Sequence, residues 1–476
     1  SIISRNDLKC SLQQLQCHFT WRLVKEDVDL ESLEDKMGHQ IEFLTQSLIA
    51  GYNMLSYVCH LKHLNENALQ NLQKAEKEIK KKHPDDIERR SLVTWGNYAW
   101  IYYYMNKYEE VQSYLRKVEN ACKKLSSTAR FQVELPEIYS EKGWALLKFG
   151  RGYYSRAKES FQNALEREPD DPEFNVGYAI AVYRLENISG GSSNSESSAL
   201  TALRRAVQLS PNDTSVVALL ALKLQDLNLA DEGERYIKEA LNKTPDFPYF
   251  LRYAAMFYRR KSEVDKALEL LRKSLAITPT CSFLHHQMGL CYRSKLLELK
   301  KTKYVPREQM EKLIRLGIFH FKKVIEYRST SFPAYGDLAG MYAEGKQYDK
   351  AEATFQKVFQ MTNLHPLDTQ SLYYCYGNYQ RFHMKSESEA IKYFTEGLQI
   401  KQDSMTRAKC KKALQKLLEQ RIRKGLGDAA AFSTLGLIHE LNSEEVQAME
   451  CYEKALQLDP ENEDYLAALQ KLRLSI

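Results

Sequence analysis

The sequence predicts an all-α fold, and three observations lead to this prediction. The chain has 476 residues, which is too long for a single hydrophobic core. It contains only 20 Gly and 12 Pro, too few for the turns of a β-sandwich or of a doubly wound α/β fold. Small and aromatic residues also recur at helical spacing with a period of about 34 residues. Helices joined by tight turns fit all three observations.

The repeat is clearest near the C-terminus, where small residues, an aromatic residue and a proline stand at Gly436, Ala448, Tyr452, Ala455 and Pro460. This spacing is typical of a tetratricopeptide repeat (TPR), a pair of antiparallel helices. The same signature returns along the chain at Ala157/Phe161/Ala164/Pro169, Ala199/Leu203/Ala206/Pro211, Ala240/Pro245, Ala267/Pro279, Ala351/Phe355, Trp95/Tyr102/Val118 and Ala68/Leu72/Ala75. We therefore expect about nine helix-pair repeats in a TPR superhelix.

Three interruptions of the repeat predict how the chain is divided. Residues 125–136 look like a joint, residues 187–198 like a Ser/Gly-rich loop, and residues 295–312 like a basic insertion that lengthens a helix pair. The predicted parts are an N-terminal helical segment with a first TPR block, a middle TPR block, and a C-terminal TPR block with the basic insertion and a capping helix. They span residues 1–125, 136–245 and 246–476. A segmented superhelix can coil tightly, so we expect it to enclose a basic central tunnel.

Composition excludes several classes of protein. The mean hydropathy is −0.52 and no apolar run of membrane-spanning length occurs, so we expect a soluble cytoplasmic protein. The nine cysteines show no zinc-binding spacing, which predicts reduced thiols and no metal. The motifs GxxxxGK[ST], GxSxG and HExxH are absent from the sequence. We therefore expect neither an enzyme nor a cofactor.

The positive charge of the chain is concentrated in one stretch. The formal net charge is only +6, but residues 251–330 hold 18 Lys and Arg against 7 Asp and Glu. A local excess of this kind indicates an anionic partner that binds at one place.

The TPR register predicts which side chains face the inside of the coil. Positions 2, 5, 9, 12 and 13 of the first helix of each pair share one inward face. They are Trp144 and Lys148; Glu173, Val176, Ile180, Tyr183 and Arg184; Tyr249, Arg252, Met256, Arg259 and Arg260; and Phe283, His286 and Arg293. Cations that alternate with aromatic rings suit the phosphates and unstacked bases of a single nucleic-acid strand. A peptide-binding groove and a pure scaffold are the alternatives.

Longer strings resemble the interferon-induced proteins with tetratricopeptide repeats, the IFIT family. They are CHFTW at 17–21, SLVTWGNYAW at 91–100, EKGWALLKFG at 141–150, LALKLQD at 220–226, LRYAAMFYRR at 251–260 and FLHHQMGLCYR at 283–293. The resemblance implies an innate antiviral protein. It would hold the 5′ end of single-stranded RNA, with a triphosphate or a cap lacking ribose 2′-O-methylation, and would inhibit translation of that RNA.

The resemblance also implies roles for individual residues. Trp144 would stack on the cap guanine, Ile180 and Leu44 would bound the pocket, and Glu173 would accept hydrogen bonds from the guanine edge. The residues expected around the phosphate bridge are Gln40, Lys36, Lys148, Arg252, His286 and Gln287. Those expected along the next nucleotides are Arg184, Tyr154, Arg259 and Arg328.

Three positions depart from the family pattern. Lys36 stands where Arg is expected, so the positive charge is kept but the bidentate hydrogen bonding of a guanidinium group is lost. Asp213 and Ser215 stand where Asn and Tyr are expected. The sequence does not decide between capped and triphosphate RNA. Tyr452 and Leu456 match an element through which family members associate, although both are also ordinary core positions of a TPR. The expected partners are RNA, other family members and translation-initiation factors; a TPR adaptor that binds peptides or proteins is the alternative function.

Overall fold

The structure is a computed structural model that describes residues 4–31, 33, 34, 37, 47–190 and 197–475. All regular secondary structure of these residues is helical, which confirms the all-α prediction. The α-helices are α1 Arg5–Leu12, α2 Leu48–Leu61, α3 Asn65–Lys82, α4 Ile87–Tyr104, α5 Tyr108–Lys124, α6 Pro136–Phe149, α7 Tyr154–Arg167, α8 Pro172–Ile188, α9 Ser198–Leu209, α10 Thr214–Asp226, α11 Ala230–Lys243, α12 Pro248–Arg260, α13 Val264–Ile277, α14 Ser282–Lys300, α15 Arg307–Tyr327, α16 Phe332–Glu344, α17 Tyr348–Phe359, α18 Pro366–Phe382, α19 Glu387–Gln399, α20 Met405–Arg423, α21 Ala429–Leu441, α22 Glu445–Leu458 and α23 Glu463–Ser475. Among the described helices, none has the length and apolar character needed to cross a bilayer.

The described residues form two compact units. The first lies within Ser1–Asn187 and Ser192–Phe257, and the second within Ile188–Gly191 and Tyr258–Ile476. The three blocks predicted from the sequence are a finer division, which this two-way split does not test.

Consecutive helices pack as antiparallel pairs in both units. The first unit contains the pairs α2/α3, α4/α5, α6/α7 and α10/α11, and the second contains α14/α15, α16/α17, α18/α19 and α21/α22. Helix α23 packs against α22 as the expected C-terminal cap. Helices α14 and α15 have 19 and 21 residues, so the basic insertion does lengthen a helix pair.

Glycine and aromatic side chains explain how neighbouring pairs approach each other. Phe161 of α7 is fully buried and contacts Gly143 of α6 and Gly177 of α8. A Cβ atom placed on Gly177 would lie 2.3 Å from the Phe161 ring, and one on Gly143 would lie 2.8 Å from it. The Phe161 ring therefore occupies space that is open only because positions 143 and 177 are glycines. It packs against α6 of its own helix pair and against α8 of the next pair.

The first helices of the pairs begin where the TPR register requires. Helices α6, α8 and α12 begin at Pro136, Pro172 and Pro248, because the fixed φ of proline and its missing N–H suit the first turn of a helix. Asp171 supports the start of α8, since its Oδ1 accepts a hydrogen bond from the N–H of Phe174 at 2.9 Å. These starting points fix the face that each helix presents.

Candidate nucleic-acid interface

Polar and aromatic side chains of α6, α7, α8 and α12 interact with one another in the first unit. They form two groups, one of Glu141, Trp144, Lys148 and Glu173 and one of Tyr154, Arg184, Tyr249, Arg252 and Tyr253, which we together call the first-unit cluster. Arg184 Nη1 donates a hydrogen bond to the backbone carbonyl of Leu147, the neighbour of Lys148, at 3.3 Å. Most of the residues that the sequence predicted for the first unit lie in one of these two groups, and their contact with RNA stays a prediction.

Trp144 is deeply buried in this cluster. Only 5% of the residue is exposed, and its ring meets Phe161 edge-on at a centroid distance of 5.3 Å. Its indole Nε1 has no well-formed hydrogen bond among the described residues, although this N–H lowers the pKa of the Glu173 carboxyl. Ile180 is 6% exposed. A base can stack on Trp144 only after side chains around it move.

Lys148 shares its electrostatic environment with two carboxylates. Burial lowers the pKa of Lys148 to about 8, against the opposite effect of Glu141 and Glu173. Burial also raises the pKa of Glu141 to about 7, against the opposite effect of the Asn53 hydrogen bond and of Lys148 and with a smaller upward contribution from Glu173. The pKa of Glu173 is raised by burial too, although the side chain keeps access to solvent. A side chain that is both accessible and crowded by protein lines a concave surface, where ligands commonly bind.

A buried amide network holds Glu141 in place. Nδ2 of Asn53 donates a hydrogen bond to Oε1 of Glu141 at 2.8 Å, and Oδ1 of Asn53 accepts one from Thr94 Oγ1 at 2.9 Å. Asn97 Nδ2 donates to the backbone carbonyl of Asn53 at 3.2 Å and lies 3.1 Å from Nδ1 of His18. Sequence reasoning missed this network, because its members come from three helices and an N-terminal loop with no shared motif.

Two arginines of the cluster face tyrosine rings. The guanidinium carbon of Arg252 lies 4.1 Å from the ring centroid of Tyr249 and 4.8 Å from that of Tyr253. That of Arg184 lies 5.5 Å from the ring centroid of Tyr154. Burial raises the pKa of Tyr253, but Arg252 and Arg184 outweigh burial and the net shift is downward. Stacking on the rings holds the cations in place while their N–H groups remain suited to phosphate.

In the second unit, three predicted RNA-binding residues interact with each other or with a carboxylate. Arg259 Nε donates to Oε1 of the buried Gln287 at 3.3 Å. His286 Nε2 lies 2.7 Å from Oδ2 of Asp337, and Arg293 Nη1 donates to Oδ1 of Asp337 at 2.7 Å. We call these five residues the second-unit cluster. Sequence reasoning found no acidic partner for His286, because Asp337 stands 51 positions away in the sequence.

The neighbouring His285 has a structural role. It is 7% exposed, its Nε2 lies 2.9 Å from the carbonyl of Pro279, and its Nδ1 lies 3.0 Å from Nδ1 of His320. No group of three metal-ligating side chains occurs in the described part of the chain. Arg328 follows the last residue of α15, and its contact with RNA stays a prediction.

The structure describes Asp213 but not three of the other residues that were named from the sequence. Lys36, Gln40 and Leu44 lie outside the described residues. Asp213 caps α10, since its Oδ1 accepts hydrogen bonds from the N–H groups of Ser215 at 3.0 Å and Val216 at 3.3 Å. Its carboxylate therefore has a structural task that asparagine could also perform.

The basic stretch 251–330 contributes less to the two clusters than its charge suggested. Many of its cations pair with nearby carboxylates at the surface, as Lys295 does with Asp265 at 2.6 Å and Arg307 with Glu311 at 2.9 Å. Arg307 is 93% exposed. The sequence count could not separate these paired surface cations from Arg252, Arg259 and Arg293, which lie in the two clusters.

The two residues named for association differ in exposure. Tyr452 is 4% exposed, its ring packs against Gly436, and its hydroxyl donates to Glu440 Oε2 at 3.1 Å. Leu456 is partly buried and packs on the small core formed by α22 and α23. Tyr452 is thus a core residue of the last helix pair, while part of Leu456 remains accessible.

Comparison with known proteins shows relatives along almost the whole chain. Tetratricopeptide repeat models match residues 141–214, 219–280 and 429–462. The chain is 46% identical to human Protein IFIT1 homolog B over 94% of its own length and 96% of that protein. It is 45% identical to the human antiviral innate immune response effector IFIT1 over 95% of its own length and 96% of that protein.

Solved structures give the same result. The human IFIT1 dimer with PPP-AAAA has a TM-score of 0.83 and 44% identity, covering 95% of this chain and 99% of that one. The human IFIT1 dimer with m7Gppp-AAAA has a TM-score of 0.84 with the same identity and coverage. The chain belongs to the IFIT family, the interferon-induced proteins with tetratricopeptide repeats.

Proposed function

We propose that this protein is an antiviral effector that binds the 5′ end of single-stranded RNA, carrying a triphosphate or a cap without ribose 2′-O-methylation. The bound end is withheld from the translation machinery in the cytoplasm. One observation carries the proposal. The first-unit cluster places Arg184 and Arg252 against tyrosine rings, and Arg184 bonds to α6 beside Lys148, in a chain 45% identical to an effector whose solved structures hold PPP-AAAA and m7Gppp-AAAA.

The residues support a division of labour at the RNA end. Arg184, Arg252 and Lys148 bind phosphates, because guanidinium and ammonium groups form charge-assisted hydrogen bonds with them. Trp144 stacks on the cap base once its pocket opens, and a methylated cationic base adds a cation–π contribution. A pocket packed around the first ribose rejects a 2′-O-methyl group by steric exclusion. No base-reading set for later nucleotides is needed, so binding is independent of sequence.

RNA binding is tested by its dependence on salt. Affinity for a short triphosphate RNA should fall with salt at a log–log slope of about −0.7 for each phosphate contacted. Arg252→Glu should lower the affinity for every kind of RNA 5′ end by at least about a hundredfold, because it reverses a charge that contacts phosphates. The matched control is Arg307→Glu, which changes a highly exposed cation and should leave affinity nearly unchanged. A flat salt response would favour the alternative, a TPR adaptor for protein partners.

Two further measurements complete the test. Competition among triphosphate RNA, capped RNA and capped RNA with a methylated first ribose should rank the methylated form last. Incubation of the protein with an excess of 5′-labelled RNA should return the RNA intact, because binding alone inhibits translation in this proposal. Turnover of the RNA would contradict the proposal and identify an RNA-processing enzyme.

We also propose that the chain associates with itself or with other family members through its last helix pair. The relatives whose structures are described as dimers support this proposal. Leu456 is the residue suited to contact a partner, because Tyr452 is already committed to the core.

A further inference from the structure

Glu141 is a second carboxylate in the first-unit cluster, and neither the TPR register nor the family resemblance singled it out. It stands three residues before Trp144 and seven before Lys148 on α6, spacings that place side chains on one face of a helix. Asn53 Nδ2 donates to its Oε1 at 2.8 Å, and Thr94 holds Asn53 at 2.9 Å. A fixed carboxyl group therefore lies on the helix face that carries Trp144 and Lys148.

The charge of Glu141 acts unequally on the two kinds of RNA end. Lys148 attracts phosphate, but Glu141 and Glu173 are both close enough to stabilise the Lys148 cation, so they also oppose its attraction for anions. Both kinds of end carry three phosphates, but the terminal phosphate of a 5′ triphosphate can ionise once more, and an N7-methylated cap guanine carries a positive charge that a carboxylate attracts. Crowding by protein excludes water and strengthens both effects.

We propose that Glu141 is a specificity-determining residue, which biases the first-unit cluster toward capped 5′ ends and against 5′-triphosphate ends. This inference rests on the RNA-binding function proposed above. Glu141 acts through its electric field, because one of its oxygens is already bonded to Asn53. Glu173 has the different task of contacting the guanine edge. The two carboxylates together make the cluster less attractive to phosphate than its arginines alone would.

The surroundings of Glu141 allow its charge to change near neutral pH. Burial raises its pKa to about 7. The titratable groups that face it are Cys17, with a pKa raised by burial to about 12, Lys148, with a pKa lowered by burial to about 8, and Glu173. The neighbouring His18 has a pKa lowered by burial to about 3 and stays neutral. Protonation of Glu141 removes its repulsion, so triphosphate affinity should rise as the pH falls through about 7.

The test is Glu141→Gln in the full chain, because glutamine keeps an oxygen that can accept the Asn53 hydrogen bond and loses only the charge. Three RNAs of one sequence are compared at pH 7.8, with 5′ ends ppp, Gppp and m7Gppp. We expect the affinity for ppp-RNA to rise about tenfold, that for Gppp-RNA to rise less, and that for m7Gppp-RNA to rise least or to fall. The matched control is Glu166→Gln on the exposed face of α7, which should alter none of the three affinities.

Each outcome decides one question. If the unmodified protein binds none of the RNAs, the proposed function itself fails. If it binds them and the Glu141 variant gains equally for all three ends, or gains for none, RNA binding stands and the role of Glu141 is overturned. A calorimetric measurement of proton uptake gives a second readout, and the melting temperature of the variant checks that it is folded. Binding of Gppp-RNA, which has no titrating terminal phosphate, should take up protons near pH 7 at both Glu141 and Lys148, and the uptake should be smaller for Glu141→Gln; equal uptake by the two proteins would overturn the inference.

Discussion

The carboxylate of Asp337 in α16 lies 2.7 Å from Nε2 of His286 in α14. Its other oxygen accepts a hydrogen bond from Arg293, also at 2.7 Å. Asp337 is 16% exposed and Arg293 is 43% exposed, so the carboxylate sits between an imidazole and a half-accessible guanidinium group. This contact joins two adjacent helix pairs of the second unit and orients a predicted RNA-binding side chain.

Replacement of Asp337 by Asn should destabilise the protein. Burial raises the pKa of this carboxyl, but the hydrogen bond with His286 and the charge of Arg293 outweigh burial, and the net shift is downward. A carboxyl with a lowered pKa stabilises the fold above its unfolded pKa of about 3.9, and the contribution is lost as the pH falls through the folded value. Asp337→Asn should lower the free energy of unfolding by about 2 kcal/mol at pH 7. The difference from the unmodified protein should shrink in acid.

The control for this prediction is an exposed ion pair of the same unit. Asp265 lies 2.6 Å from Lys295, but its side chain is 86% exposed, so solvent screens the pair. Asp265→Asn should change the urea midpoint of the second unit very little. Equal shifts for the two variants would contradict the role assigned to the Asp337 contact.

Addition of one methyl group at Gly177 should destabilise the first unit. The new Cβ atom would lie 2.3 Å from the Phe161 ring, and overpacking of this kind typically costs about 1–3 kcal/mol. Gly340→Ala in α16 is the matched control, since nothing lies within 4 Å of its new Cβ and alanine favours a helix by about 1 kcal/mol over glycine. Thermal unfolding should move in opposite directions for the two variants. A stabilising effect at Gly177 would show that the ring can shift at little cost.

Removal of the Trp144 ring should affect capped RNA more than triphosphate RNA. Trp144→Ala deletes the stacking surface, which is worth about 1–3 kcal/mol per base, whereas Arg184 and Arg252 remain available for phosphates. Affinities for m7Gppp-RNA and ppp-RNA are measured side by side, together with the melting temperature, because Trp144 also packs on Phe161. Equal loss for both RNAs would indicate that the ring only supports the fold.

A charge at Leu456 should abolish self-association. Leu456→Glu places a carboxylate on the accessible part of the last helix pair, and a desolvated unpaired charge opposes an apolar interface. Sedimentation of the variant should give a monomer at concentrations where the unmodified chain forms a dimer. Leu474→Glu is the control, because Leu474 is 89% exposed. An unchanged dimer in the Leu456 variant would place the interface elsewhere.

Much of the fold could be predicted from the sequence, because TPR packing depends on local spacing. Proline marks the starts of α6, α8 and α12, and small residues mark contacts such as Gly177 with Phe161. The register that follows from those starts predicts that Lys148 and Arg184 share the inner face, and Arg184 does bond to the carbonyl of Leu147 beside Lys148. A repeat can be interpreted in this way without any knowledge of distant contacts.

The polar partners of the candidate site could not be predicted in the same way. Asn53 reaches Glu141 across 88 positions of sequence, and Asp337 reaches His286 across 51. Such pairs have no sequence spacing of their own, because they depend on how successive helix pairs stack. The burial of Trp144 could not be predicted either. Its position in the register determines the side that it faces, but not how closely Phe161 and other neighbours pack around it.

The position of Phe161 between Gly143 and Gly177 has a mechanical consequence. The ring fastens α6 to α7 and also α7 to α8, so neither contact can be lost without loosening the other. The mechanical stability of the first unit therefore depends on a series of such aromatic–glycine contacts between neighbouring helices and not on a central core. An unfolding machine that pulls on one end of the chain should extract the first unit in steps of one helix pair, and Gly177→Ala should weaken one identifiable step.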